Sequence, residues 1–458
     1  MSPETADTPI GWQTNFKQLI AVAEGAPDEA LKDAVAPLHP ADAAELINLV
    51  EHVEIRERIF RALAPDVAPR VLRLVSPLVR EQIVQGLPAD RLQRMLEHLD
   101  SDDAADLIAS MPKERAQSIL AALPGPVAAR IQQLLRYPED TAGGLMKSEY
   151  AAVLEGATVE EAIEIVRILA GTVPDIHNVF VVDRRFHLLG VLPLAGLILA
   201  REGQTVDAVM DRQVISATVE TDQEEVARLF RKYDLLSLPV TDLRGALLGR
   251  ITVDDVVDVL EEEANEDFAK LSGLGREEPV FDSPVRTIRR RLPWLGLNLV
   301  TTSLSATVIG FFQGTIESTA IAAALMTIVA AQGGNAGVQT LTVMVRGLAL
   351  GQISASHARP ILLKELAVAG GNGVALGLTA GTGAYLLHGQ RLLAVVLGLA
   401  LLVNYLVAAL VASVIPLTLR WLRADPAVAS SVFVTACTDI CGFFSFLGLL
   451  TIGLCLFG

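Results

Sequence analysis

The hydrophobic and polar positions of the chain follow four successive patterns. From about Leu38 an apolar residue recurs every 12 positions and is followed by Pro, Asp or Ser. The steps are Leu63-Ala-Pro-Asp, Val75-Ser-Pro-Leu, Leu87-Pro-Ala-Asp, Leu99-Asp-Ser-Asp, Met111-Pro-Lys-Glu and Leu123-Pro-Gly-Pro. Residues of those types open helices. Between the steps, apolar positions such as Val71, Leu72 and Leu74 keep helical spacing. The pattern predicts short helices stacked in pairs, an α-helical superhelical (solenoid) N-terminal domain over 1–136. Such a layer serves as scaffold or docking surface, and no catalytic constellation shows in it.

After a glycine-containing junction, Tyr137-Pro-Glu-Asp-Thr-Ala-Gly-Gly-Leu-Met146, a second repeat begins with a period of 59. Val179-Phe-Val-Val-Asp183 returns as Leu238-Pro-Val-Thr-Asp242, and Leu189-Gly190-Val191 as Leu248-Gly249-Arg250. Each copy orders a helical stretch, an apolar strand, an Asp turn, a strand entered through Gly, and a helix. Over 137–263 this resembles an α/β tandem CBS pair, with copies at about 146–203 and 205–263. CBS pairs often bind adenine nucleotides through Ser/Thr-x-x-Asp after the Gly strand. The resemblance therefore implies ATP at the second copy, through Thr252 and Asp255 of Thr252-Val-Asp-Asp255. The first copy has Pro193-Leu-Ala-Gly196, without a carboxylate. A dimerisation module without ligand is the other reading.

The second copy runs into a helix with apolar positions at Val253, Val256, Val257, Leu260, Ala264, Phe268 and Leu271. Its other faces carry Asp254, Asp255, Asp258, Glu261, Glu262, Glu263, Glu266 and Asp267, eight acids and no base in 14 residues. Like charges at i,i+4 cost roughly 0.2–0.5 kcal/mol per pair. This connecting helix and its linker, 253–283, should therefore repel itself and its neighbours until cations arrive. It is either a solvated face or a divalent-cation switch.

Beyond 284 the pattern is apolar, and five membrane-crossing helices are expected at about 293–312, 318–349 (long, with a break), 362–387, 392–419 and 427–456. Each is long enough for a hydrocarbon core of about 30 Å. Arg286, Arg289, Arg290 and Arg291 precede the first. The connection after it has no base, whereas Arg346, Arg359 and Lys364 flank the second, Arg391 the third, and Arg420 and Arg423 the fourth. Bases on alternate sides predict a cytoplasmic N-terminus and a C-terminus outside, in a multi-pass protein of the cytoplasmic membrane. In the second segment Ala331-Gln-Gly-Gly-Asn335-Ala-Gly-Val-Gln339 is expected to interrupt the helix beside a cavity, with Asn335 donating a carbonyl. Gly373, Gly377 and Gly381 should form a close-packing face.

The last segment contains one charge, Asp439, in Phe433-Val-Thr-Ala-Cys-Thr-Asp439. A carboxylate at mid-membrane costs about 2.5–3.5 kcal/mol and marks an ion path or a polar helix contact. Thr435, four residues earlier, shares its face. Cys437 and Cys441 share another face, about 200° round the helix from Asp439, which points to packing and leaves the cation site hard and oxygen-rich. Charge splits the same way. From 284 onward ten Lys/Arg meet four Asp/Glu, leaving 27 basic and 49 acidic residues before it. An acidic soluble half excludes nucleic acid as a partner and favours cations. Residues 1–18 lack a basic region followed by an apolar core, so no signal peptide is expected. The three cysteines imply no disulfide framework. With no nucleophile–base pair, P-loop or His cluster, the chain does not read as an enzyme.

Taken together, these stretches resemble the MgtE family of magnesium channels. The junction motif, Gly249-Arg-Ile-Thr-Val-Asp-Asp-Val256, Gly333-Gly-Asn-Ala-Gly337, Val345-Arg-Gly-Leu-Ala-Leu-Gly351, Asp425-Pro-Ala-Val-Ala-Ser430 and the Asp439 segment occur in the family's order. The resemblance implies a homodimer, with membrane lipid around it, that imports Mg²⁺. Asp439 would hold a hydrated ion, helped by Asn335 and the backbone carbonyl of Thr435. It also implies closure by cytosolic Mg²⁺ at Asp234, Asp255, Asp258, Glu263, Glu266, Asp267, Asp425 and, in the N-terminal repeats, Asp100. A carrier coupled to H⁺ or Na⁺, a less selective Mg²⁺/Mn²⁺/Co²⁺ carrier, and a membrane-tethered sensor without transport are the alternatives.

Overall fold

The computed structural model describes residues 11–173, 175–274, 278, 283–353, 358–422, 424–428 and 431–457. Arg423, the last two residues of the Asp425–Ser430 motif, and 275–277 and 279–282 of the expected linker lie outside them. The chain forms two compact units, Met1–Glu261 and Glu262–Gly458.

The first unit opens with ten helices, α1 (Gly11–Gly25), α2 (Asp28–Val35), α3 (Pro40–Leu49), α4 (Val53–Ala62), α5 (Ala68–Leu74), α6 (Pro77–Gly86), α7 (Ala89–Leu96), α8 (Ser101–Ala109), α9 (Lys113–Ala122) and α10 (Gly125–Leu134). The 12-residue steps are the joints between them, and Pro, Ser or Asp stands at the N-cap of α6 to α10. Helices two apart pack together, α3 on α5, α5 on α7, α7 on α9 and α8 on α10. Their apolar faces close a core through Leu46, Phe60, Leu72, Ile83, Leu96 and Ile131. Helices of 7–10 residues would be marginal alone, so this mutual burial holds them.

Next come α11 (Ala142–Leu145), β1 (Ala151–Leu154), α12 (Val159–Leu169), β2 (Asn178–Val182), β3 (Leu188–Pro193), α13 (Leu194–Leu199), α14 (Val206–Val209), β4 (Ala217–Thr218), α15 (Gln223–Tyr233), β5 (Ser237–Thr241) and β6 (Leu247–Thr252). They make two three-stranded sheets of the same order, β1-β2-β3 and β4-β5-β6, each with one parallel and one antiparallel pair. The period of 59 survives in detail. β2 and β5 are buried strands at equivalent positions, and both hairpins shift register at the same place, Val181/Val182 and Val240/Thr241. α12 begins with a capping box, Thr158 and Glu161 bonding each other's backbone amides.

α16 (Val253–Leu271) contributes its first residues to the first unit and the remainder to the second. The second unit continues with α17 (Pro284–Phe311), α18 (Gln313–Ser318), α19 (Ile321–Ala349), α20 (Ala358–His388), α21 (Arg391–Trp421) and α22 (Ser431–Phe457). Five of these are long and apolar enough to cross a membrane: α17, α19, α20, α21 and α22. α17 begins well before the expected 293 and carries Pro293 inside it, so the four arginines lie on the helix and do not precede it. The break expected in the second segment is absent. α18 is a separate short helix, and α19 runs unbroken through Gly333, Gly334 and Asn335. A helical glycine costs only about 1 kcal/mol, whereas each unpaired backbone group in hydrocarbon costs several; continuity wins.

α21 is the centre of the bundle, packed against α19, α20 and α22. The expected glycine face is real: Gly373, Gly377 and Gly381 are buried, and a Cβ at Gly377 would stand 2.7 Å from the Gly398 carbonyl of α21. α17 packs chiefly along α22 and, among its described side chains, buries only Ser305.

Candidate functional site

Asp439 lies about a third of the way along α22 and is half-buried. The next turn back places Thr435 against α19: a Cβ at Gly334 would lie 3.6 Å from Thr435 Cγ2, and Gly337 faces Val434 and Thr438. These glycines bring α22 close to α19 just where Asn335 stands, exposed, beside Gly334. The Thr435 carbonyl accepts from the buried Thr438 hydroxyl at 2.9 Å, in addition to its place in the hydrogen-bond ladder of α22. Cys437 and Cys441 are free and half-buried.

Asn404 of α21, unread in the sequence, keys this arrangement. It is fully buried, and its Nδ2 donates to the Val329 carbonyl of α19 at 2.8 Å. It sits between Gly333 of α19 and Gly442 of α22, two residues before Asn335 and three after Asp439. Tyr405, next along α21, donates to Gln332 at 2.8 Å. One Asn in an apolar run gives no sign of which neighbours it will meet.

The C-terminal part of α16 forms a second cluster inside the second unit. Lys270 donates to Asp425 at 2.6 Å and pairs with Glu266 at 2.6 Å. Burial and the nearby Asp425 carboxylate push Asp267 up to about 6. Glu263 and Glu266 are half-buried, and Asp258, further back, is exposed with its carboxyl raised by partial burial. Asp234 stands apart, an exposed residue ending α15 in the left-handed conformation (φ 51°), where a short polar side chain is tolerated.

The third cluster lies in the first unit, and most of its members are not evident from sequence. Asp100 occupies the N-cap position of α8 without a side-chain capping bond, and the first turn of α8 holds Asp102 and Asp103. These three carboxylates lie within 4.8 Å of one another. The Nζ of Lys147, between α11 and β1, stands 3.0 Å from Asp255, 3.0 Å from the Thr252 hydroxyl, 3.4 Å from Asp254, 3.8 Å from Asp100 and 3.9 Å from Asp102. Arg73 of α5 adds a second charge, 3.2 Å from Asp254 and 3.9 Å from Asp103. Glu149 accepts from Ser101 at 2.7 Å and pairs with Arg130 at 3.4 Å. Burial and crowding by like charge raise Asp102 well above the carboxylate range and Asp103 to about 7. Burial acts upward on Asp254 as well, but Thr252, Lys147 and Arg73 outweigh it and hold it at about 2. Despite burial, the surrounding aspartates, Asp102 and Asp255 foremost, raise Lys147 and keep it charged.

Asp100 and Asp255, both expected as Mg²⁺ ligands, thus meet around an ammonium group. Thr252 and Asp255 are also paired with each other, hydroxyl to carboxylate at 2.8 Å, as the start of α16.

The chain matches three family descriptions in order: "MgtE intracellular N domain" over residues 38–140, "CBS domain" over 206–262, and "Divalent cation transporter" over 326–449. It is 38% identical over 324 residues to the magnesium transporter MgtE of Thermus thermophilus, covering 70% of this chain and 71% of that protein. To the magnesium transporter MgtE of Enterococcus faecalis it is 35% identical over 313 residues, 68% of this chain and 69% of that one. Among solved structures, the cytosolic domain of the Mg²⁺ channel MgtE in complex with ATP is 38% identical, with a TM-score of 0.51 over 53% of this chain and 99% of the other. Shared length, domain order and the five membrane-length helices together place this multi-pass chain in the MgtE family of magnesium transporters.

Proposed function

We propose that this chain imports Mg²⁺ across the cytoplasmic membrane as a homodimeric channel that cytosolic Mg²⁺ closes. The observation that carries the reading is the α19–α22 contact, where glycines of α19 meet the turn of α22 before Asp439, the one charge of that helix. Mg²⁺ gives up water reluctantly and is served poorly by all-protein cages. One carboxylate per subunit, with the Asn335 amide and the Thr435 carbonyl beside it, suits a hydrated ion read by size and charge. The magnesium transporter names of the relatives support the substrate. A second copy is supported by α17, which leaves Leu295, Leu299, Val300 and Leu304 exposed. Lipid covers the rest.

In this reading the N-terminal helices form a solenoid on the cytoplasmic side, and the C-terminus lies outside. Asp258, Glu263, Glu266, Asp267 and Asp425 bind the closing ions, with Asp234 an outlying contributor. ATP binds the second CBS module through Thr252 and Asp255, a reading supported by the ATP complex of the related cytosolic domain. Asp255 must release Lys147 or Thr252 to do so.

Patch recording with Mg²⁺ as the only permeant cation tests the proposal. Discrete currents, lost in Asp439→Ala and suppressed by millimolar-range internal Mg²⁺, are expected. Silent patches beside saturating, pH- or Na⁺-coupled uptake would overturn the channel in favour of a coupled carrier. Absence of flux by either method would overturn transport.

A further inference from the structure

We infer that Lys147 is the resident cation of the acidic cluster in the first unit. Its ammonium fills the position a divalent ion would otherwise take, and ties the start of α8 to the start of α16 without bound metal. Four aspartates from two helix N-termini lie within 4.0 Å of Nζ. Carboxylates gathered so closely repel unless a positive charge stands among them. An ammonium has three donors, and Thr252, Asp254 and Asp255 accept from it.

The lysine is also held in place. Its backbone exchanges hydrogen bonds with Arg250 of β6, N to O at 2.7 Å and O to N at 2.9 Å, and its side chain is 4% exposed. A Mg²⁺ ion would need oxygens near 2.0–2.1 Å in octahedral array, and it cannot share the position with a like charge. The Oδ1 of Asp102, buried and without a hydrogen-bond partner, is the oxygen a single ammonium leaves unserved. It becomes a ready ligand once the lysine is removed. Lys147 therefore determines what the cluster accepts: with it the cluster is self-neutralised, without it a divalent-cation site.

This inference sets the α8–α16 junction apart from the ion-dependent contacts proposed above, and it holds whether or not the pore conducts Mg²⁺. Hydrogen–deuterium exchange on the full-length protein in lipid nanodiscs tests it, read at peptides covering α8 and the first turns of α16, in EDTA and in millimolar Mg²⁺. The wild type should show equal protection in both. Lys147→Met should exchange about tenfold faster at those peptides in EDTA and recover with Mg²⁺, while binding one more Mg²⁺ per chain by calorimetry. Lys147→Arg should behave as wild type. Loss of protection at α8 when Mg²⁺ is withdrawn from the wild type would overturn the inference, and that arm decides even if Lys147→Met fails to fold. Wild-type protection of Lys147→Met in EDTA would overturn it equally.

Discussion

Gly333→Ala separates helix propensity from packing in the bundle. Propensity alone predicts a gain of about 1 kcal/mol, because alanine is the better helix former. The structure predicts the opposite. A Cβ at residue 333 would come 2.7 Å from Asn404 Cγ and 3.1 Å from its Oδ1, with Nδ2 nearer still, well inside the optimum of about 3.5–4.0 Å. Asn404 cannot retreat, since Gly442 on the far side leaves room only for hydrogen: a Cβ there would stand 2.7 Å from Nδ2. The amide must therefore leave Val329. Overpacking costs roughly 1–3 kcal/mol, and a lost interhelical hydrogen bond in a membrane averages about 0.6 and reaches about 1.7 kcal/mol. Against the propensity gain, the net is a loss of roughly 1–4 kcal/mol. At about 2–4 °C per kcal/mol for a unit of this size, the melting midpoint in detergent should fall by roughly 2–16 °C. The fraction left monodisperse after heating, read by fluorescence-detected size exclusion, measures it. Adding Asn404→Ala frees the space for the new methyl, so the double variant should be more stable than the sum of the singles by about 1 kcal/mol or more. A midpoint at or above wild type in Gly333→Ala, or strict additivity in the double, would refute the reasoning.

Three further outcomes are expected. Neutralising Asp258, Glu266 and Asp267 together with amides should leave conduction intact and raise the internal Mg²⁺ needed for closure about tenfold, or 1.4 kcal/mol of coupling; unchanged inhibition in patches would discard these acids as sensors. Closure should also depend on pH through Asp267, whose carboxyl is raised to about 6. The raised value contributes fold stability that is present below the ordinary carboxylate range and lost as pH climbs through about 6. Mg²⁺ binds the ionised form and competes with the proton, so the closing concentration should rise up to about tenfold per pH unit below 6 and level off above 7. A flat wild-type profile between pH 5 and 8, or an unaltered slope in Asp267→Asn, contradicts this. Finally, Thr252→Val should weaken ATP binding by calorimetry, since it removes the hydroxyl that fixes Asp255; undiminished affinity would move the nucleotide elsewhere.

Local periodicity carried most of the fold. The 12-residue joints became helix ends, and the 59-residue repeat returned as two sheets of one topology with their bulges in register, because turn chemistry and strand burial act within a few residues. The misreading of α19 came from applying soluble-helix intuition to glycine, where the membrane's demand for paired backbone groups dominates. Asp439 could be singled out as the lone charge of an apolar run, Asn335 from the glycines around it, and Thr435 from its place one turn before Asp439. Asn404 and Lys147 could not, because each takes its meaning from partners far along the chain: Val329, Gly333 and Gly442 for the one, Asp100, Asp102 and Asp255 for the other.

The acidic helix shows the same limit in its energetics. Eight acids without a base in 14 residues suggest a rod that repels itself along its whole length. In the structure the repulsion is offset at both ends, by Lys147 and Arg73 from elsewhere in the chain at Asp254 and Asp255, and by Lys270 of the same helix, one turn beyond the run, at Glu266 and Asp425. A closing ion gains most where local charge is least compensated. Burial already opposes the charge on Asp267, and the nearby Asp425 carboxylate opposes it further, while Lys270 is shared between two other carboxylates. The ion-dependent part of closure should therefore concentrate around Asp267, not around the starts of α8 and α16. A charge count along one helix cannot make that distinction, since it depends on which lysine the fold delivers to which carboxylate.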